Sequence, residues 1–174
     1  MMPRKPNSLL PQPAGLALTL AAALAGQTAP ALAACPMELA VYQEPESGAT
    51  IDFYPGRTAT VTNAFRMVFG NGLVLEGAVM WDAEAPRSLG LVTYGCPEGD
   101  ATGAELAACT VWQGAVYSVD GEGRIDQMPP EGADAPQSLL FADLGRAVRQ
   151  SAAYEAAGLT ATPWDAFSLS GCQE

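Results

Sequence analysis

Four cysteines, Cys35, Cys96, Cys109 and Cys172, constrain this chain more than any other feature, because they follow a stretch that reads as an export signal. Ahead of them come a basic start with Arg4 and Lys5, an apolar run from Gly15 to Gly26, a polar stretch from Gln27 to Pro30 and the small-residue site Ala31-Leu32-Ala33. That order is the three-part layout of a cleavable secretory signal, and the run is shorter than the ~20 residues of a membrane span. Residues 1–34 are therefore expected to be a signal peptide and residues 35–174 a single exported domain, periplasmic or secreted. A product of about 140 residues is long enough for one real core. No second apolar run of that length follows, so no integral membrane span is expected.

In an oxidising compartment an even set of cysteines is expected to pair. Of the three possible pairings, the expected one joins Cys96 to Cys109 and Cys35 to Cys172. The first closes a short loop, a cross-link of ~3 kcal/mol in the chain-entropy model. The second ties together chain ends that would otherwise fray. An alternative reads Leu32-Ala33-Ala34-Cys35 as a lipoprotein signal that anchors the chain through Cys35. Against it, the apolar run stops well before Cys35, and lipidation would leave an odd thiol. No Cys-x-x-Cys spacing occurs, which points to structural rather than redox cysteines.

Between the cysteines the pattern is mainly of strands. Met37–Tyr42 and Thr50–Tyr54 predict a hairpin around Pro45-Glu46-Ser47-Gly48. Val61–Phe69 alternates, Gly70-Asn71-Gly72 is a strong turn signal, and Leu73, Leu75, Val79 and Trp81 then recur by twos toward the same core. Leu89–Tyr94 and Thr110–Val119 read as further strands flanking the Cys96–Cys109 loop, in which Thr102-Gly-Ala-Glu105 matches a capping box for a short helical turn. Asp134, Pro136 and Gln137 predict the start of a helix carrying Leu140, Leu144, Ala147 and Val148 on one face. Trp164–Leu169 makes a last strand. The expected fold is mainly antiparallel β (α+β), a single small sandwich or barrel-like sheet with one C-terminal helix, stapled by disulfides.

Composition excludes several chemistries. The chain carries 8 basic and 19 acidic residues, a net charge of −11. Loss of Arg4 and Lys5 with the signal leaves six basic residues against 19 acidic ones, or −13. That field repels nucleic acid and anionic lipid, and the remaining arginines are scattered along the sequence. The expected domain has neither histidine nor lysine. It can hold no Ser-His-Asp or Cys-His arrangement, no Schiff base and no phosphate-loop lysine. No cofactor and no metal are expected.

Two acidic segments stand out as low-specificity binding candidates. Glu98, Asp100 and Glu105 lie in the Cys96–Cys109 loop and can present a rigid acidic surface to a cationic protein. Asp120, Glu122 and Asp126 alternate with glycines and can supply oxygens to calcium, although the spacing departs from the helix-loop-helix pattern and a solvated turn explains it as well. Trp81, Trp112, Trp164, Tyr94 and Tyr117 are expected in the core, the alternative being that strand aromatics line a ligand or glycan groove. The resulting expectation is a non-enzymatic binding or envelope accessory protein with a protein partner in the cell envelope. The alternatives are a small hydrolase using two carboxylates and a calcium-dependent module.

Overall fold

The computed structural model describes residues 34–56, 61–82, 84 and 86–174. The expected leader lies outside the described residues except for Ala34. Among these residues, nine strands form one antiparallel sheet: β1 (Ala40–Gln43), β2 (Thr50–Tyr54), β3 (Val61–Val68), β4 (Val74–Asp82), β5 (Arg87–Thr93), β6 (Thr110–Val119), β7 (Ile125–Gln127), β8 (Ser138–Phe141) and β9 (Ala166–Cys172). Neighbours pair in the order β5-β4-β3-β2-β1-β9-β8-β6-β7, and β5 also pairs with β6. Eight strands thereby close into a barrel, with β7 folded back on the end of β6. The expected choice between sandwich and barrel falls to the barrel.

Alternation drives the closure. On β2 it is Ile51 and Phe53 that are buried, on β3 Asn63, Phe65 and Met67 together with the small Ala64 between them, and on β8 Leu139 and Phe141. Successive residues of a strand point to opposite faces, so each strand lends one face to the interior. Tyr42, Phe53, Phe65, Phe141 and Phe167 form a chain of edge-on and tilted rings with centroids 5.4 to 5.8 Å apart, and Trp112 joins it at Phe141. That spacing lies in the favourable range for aromatic pairs. The paired glycines Gly90 and Gly114 admit the Trp112 ring, since a methyl group at either would meet a ring carbon at 2.6 Å. An eight-stranded barrel has an interior just wide enough to be filled by side chains, and here aromatic rings fill it.

Both ends are plugged. At the end holding Cys35 and Cys172, the 3-10 turn Met37–Leu39 inserts the fully buried Met37, and its amide bonds the Ala133 carbonyl at 2.9 Å. Tyr42, from the core, donates its hydroxyl to the Pro136 carbonyl at 2.8 Å, and burial pushes its phenol well above the ordinary range. At the other end, the β8–β9 connection carries α2 (Leu144–Arg149) and α3 (Ala152–Ala157), which bury Leu144, Val148 and Ala153. The β5–β6 connection at this end carries a third helix, α1 (Gly103–Cys109).

Three sequence expectations change. Strand β1 begins at Ala40 rather than Met37, because Met37 turns inward as a plug. The helix expected from Pro136 is instead strand β8, since the gap between β6 and β9 must be bridged and Leu139 and Phe141 alternate inward to fill it. Helix α2 starts only after Asp143, whose left-handed backbone (φ 68°) turns the chain out of the strand. Asp134, the expected cap, lies in an isolated bridge with Pro36. Finally, Trp81, Trp164 and Tyr94 are exposed rather than buried, whereas Trp112 is core.

Candidate functional site

Cys35 is bonded to Cys172 and Cys96 to Cys109, with Cα separations of 5.7 and 5.2 Å. The first bridge sits at the β1–β9 seam where the barrel closes, next to the Ala40–Cys172 register pair. Its sulfur at Cys35 has no valence left for a lipid thioether. The second bridge closes an excursion between β5 and β6. No helix among the described residues is long and apolar enough to cross a membrane.

That excursion is built to be rigid without being packed. None of the seven residues of α1 is buried. Its N-terminus is held by the capping box: the Glu105 carboxylate accepts from the Thr102 amide at 2.9 Å, and the Thr102 hydroxyl accepts from the Glu105 amide at 3.3 Å. The Thr102 amide, then its hydroxyl, hold the Glu105 carboxyl below its usual range. At the helix exit the Thr110 hydroxyl donates to the Leu106 carbonyl at 2.7 Å. Glu98 and Asp100 are exposed in the segment leading into α1, and Leu106 is 40% exposed at the centre of the helix.

Asp120, Glu122 and Asp126 lie at the opposite end of the barrel, so the two acidic groups are not brought together. Asp120 accepts from the amides of Glu122 and Arg124, both at 2.9 Å, and from the Arg124 guanidinium at 2.6 Å. These bonds, the Arg124 amide foremost, lower its carboxyl. Asp126 accepts from the adjacent Gln127 amide at 2.7 Å. The oxygens serve the turn itself. Among the described residues no group of three or more acidic or cysteine side chains could hold a metal ion.

The same use of carboxylates recurs elsewhere. Glu44, which is 1% exposed, accepts from the amides of Glu46 and Ser47, each at 2.8 Å, and from the Ser47 hydroxyl at 2.5 Å. Burial opposes its ionisation, but these bonds outweigh that and hold the carboxyl below its usual range. Glu38 bonds the Gly132 amide, Glu131 the Gly56 amide, and Asp165 the amides of Asp143 and Gly145. A glycosidase-type general acid needs a raised carboxyl facing a cleft. Among the described residues, the carboxyls that shift, those of Glu44, Glu105, Asp120 and Asp143, all move down.

Sequence reasoning did not assemble the surface around α2, which two clefts flank. On one side a cleft runs between Tyr94, the base of the excursion and α3. On the other, a cleft of about 490 Å³ is lined by Asp143, Gly145, Arg149, Pro163, Trp164 and Asp165. Arg146 borders both, its guanidinium paired with Asp143, whose carboxyl it lowers. Trp164 is 65% exposed, yet its indole N–H is fixed by the Glu46 carboxylate at 2.7 Å. In the sequence, Gly145 interrupts a run of helix-forming residues between Leu144 and Ala147. In the fold it is a contact that admits no side chain, since a methyl group there would meet the Pro163 carbonyl oxygen at 2.2 Å. The chain matches no protein-family model, and no curated protein or solved structure is significantly similar to it.

Proposed function

We propose that the protein is an exported, non-enzymatic binding protein that engages a cationic protein partner of the cell envelope through the Cys96–Cys109 excursion. Two disulfides are the mark of a chain matured outside the reducing cytoplasm. Within that setting, one observation carries the reading: α1 buries none of its residues, yet a disulfide and a capping box hold it in shape. Ordering a segment that contributes nothing to the core has a conformational-entropy cost. Rigidity of that kind favours association, because less freedom is lost on contact. The exposed apolar Leu106 shares the excursion with the exposed acids Glu98 and Asp100, the mix of apolar and charged groups that interfaces carry. The filled interior supports the same reading from the other side, since a ligand has to be met on the outer surface.

A photo-crosslinking amino acid placed at position 106, with a second variant carrying it at the exposed Val74, tests this in the native envelope. The expected result is one adduct specific to position 106 that is lost when Glu98 and Asp100 are both replaced by arginine. Equal labelling from both positions, or an adduct insensitive to the charge reversal, would contradict it.

A further inference from the structure

We infer that the cleft between Arg149 and Trp164 is a binding site for a small ring compound bearing one carboxylate. The argument starts from what each lining group has left to offer. Trp164 holds a large apolar ring in water, which is unfavourable unless something stacks on it. Its polar edge is already satisfied by Glu46, so what it presents to a ligand is the ring face. Arg149 is stacked over Tyr154, with its guanidinium carbon 5.8 Å from the ring centroid. Among the described residues no carboxylate forms an ion pair with Arg149, whereas Arg124 and Arg146 both have acidic partners. A planar guanidinium with unclaimed donors matches a carboxylate in two-pronged geometry.

The frame around these two side chains is fixed rather than loose. Asp165, next to Trp164, accepts from the Asp143 amide at 2.6 Å and the Gly145 amide at 3.1 Å, locking the Trp164 segment to the start of α2. Gly145 touches the Pro163 carbonyl too closely for any side chain, so the cleft floor cannot shift outward without opening that contact. The left-handed backbone at Asp143 is the one such conformation at a non-glycine among the described residues, and the Arg146 pair holds it. Strain held in place by its surroundings is a common feature of binding sites. Of the acids lining the cleft, Asp143 is neutralised by Arg146 and Asp165 is engaged by the Asp143 and Gly145 amides. The Trp164 ring and the unpaired Arg149 guanidinium are left to select a ligand with one apolar ring face and an anionic group. The strong negative charge of the chain limits that group to a single charge, which disfavours nucleotides and polyanions.

This site is separate from the excursion and does not depend on its partner. Both an aromatic acid and a uronic acid have the required chemistry. The test follows the three tryptophan indole N–H signals by two-dimensional NMR, with the Trp164 signal assigned from Trp164→Phe. The probes are phenylacetate and glucuronate, each beside its neutral counterpart, phenylethanol and glucose. The expected result is a saturable shift of the Trp164 signal with one of the two acids, which identifies the source, while the Trp81 and Trp112 signals stay in place. The neutral counterpart is expected to bind at least tenfold more weakly, and Arg149→Gln to weaken the acid by a similar factor. No saturable shift with either acid, equal binding of the neutral compound, or unchanged affinity in Arg149→Gln would each overturn the inference. Since the readout is local to Trp164, its failure leaves the crosslinking result at position 106 unaffected.

Discussion

Cys35–Cys172 and Cys96–Cys109 are the same cross-link set in opposite surroundings. The first spans 137 residues and lies where β1 meets β9, with Cys35 buried and Met37 driven into the barrel two residues later. The second spans 13 residues and braces a helix that touches no core. In the native state the short loop is already closed without its bridge, since Thr93 pairs with Thr110 and the Tyr94 amide bonds the Cys109 carbonyl at 2.9 Å. One bridge therefore secures the fold, and the other secures the shape of a surface. The difference shows that a disulfide's loop length is a poor guide to its purpose. What its loop packs against decides that.

Removing each bridge in turn tests the contrast most strongly. For Cys35→Ala/Cys172→Ala the expected loss is about 4–5 kcal/mol in urea unfolding, the entropy of a loop of over a hundred residues. Glu44→Gln comes next, with an expected loss of about 1–3 kcal/mol at neutral pH from its hydrogen bonds to a charged acceptor. Because the Glu44 carboxyl is held low in the folded protein, its stabilisation is present above the unfolded value near 4.5 and is lost as the pH falls through the folded value. The gap between the native protein and Glu44→Gln should accordingly close in acid, and a gap that widens in acid would reverse the assignment. Cys96→Ala/Cys109→Ala should cost no more than about 1.5 kcal/mol, half the chain-entropy figure, because α1 regains its own freedom when the bridge is cut. Smallest of all, Leu106→Ser should change stability by less than about 0.5 kcal/mol while abolishing capture of the partner. A large loss of stability there would mean that α1 does belong to the core.

How much of this was legible depended on whether local or distant residues set the outcome. The β3–β4 hairpin followed from Gly70-Asn71-Gly72 and the alternation on either side, both local. The capping box at Thr102 and Glu105 was local as well. Ser138–Phe141 was not, since Leu139, Leu140, Phe141 and Leu144 suit either period. The strand wins there because β6 and β9 offer open edges from far along the chain. Trp81 reads as a core position by its spacing, but it lies past the last filled layer, beside Met128 and Pro129, and is 50% exposed. The Arg149–Trp164 cleft could not be assembled from the sequence, because its two sides come together only when the β8–β9 connection folds back on itself.

Hydrogen exchange on Cys96→Ala/Cys109→Ala tests the central claim, that the excursion is presented by the barrel and is not part of it. The account predicts that the amides of 103–109 lose protection and exchange at nearly the rate of an unfolded chain. Those of β3, β4, β5 and β6 should keep theirs. Loss of protection spreading into β5 and β6 would contradict it, since the excursion would then be holding the barrel together.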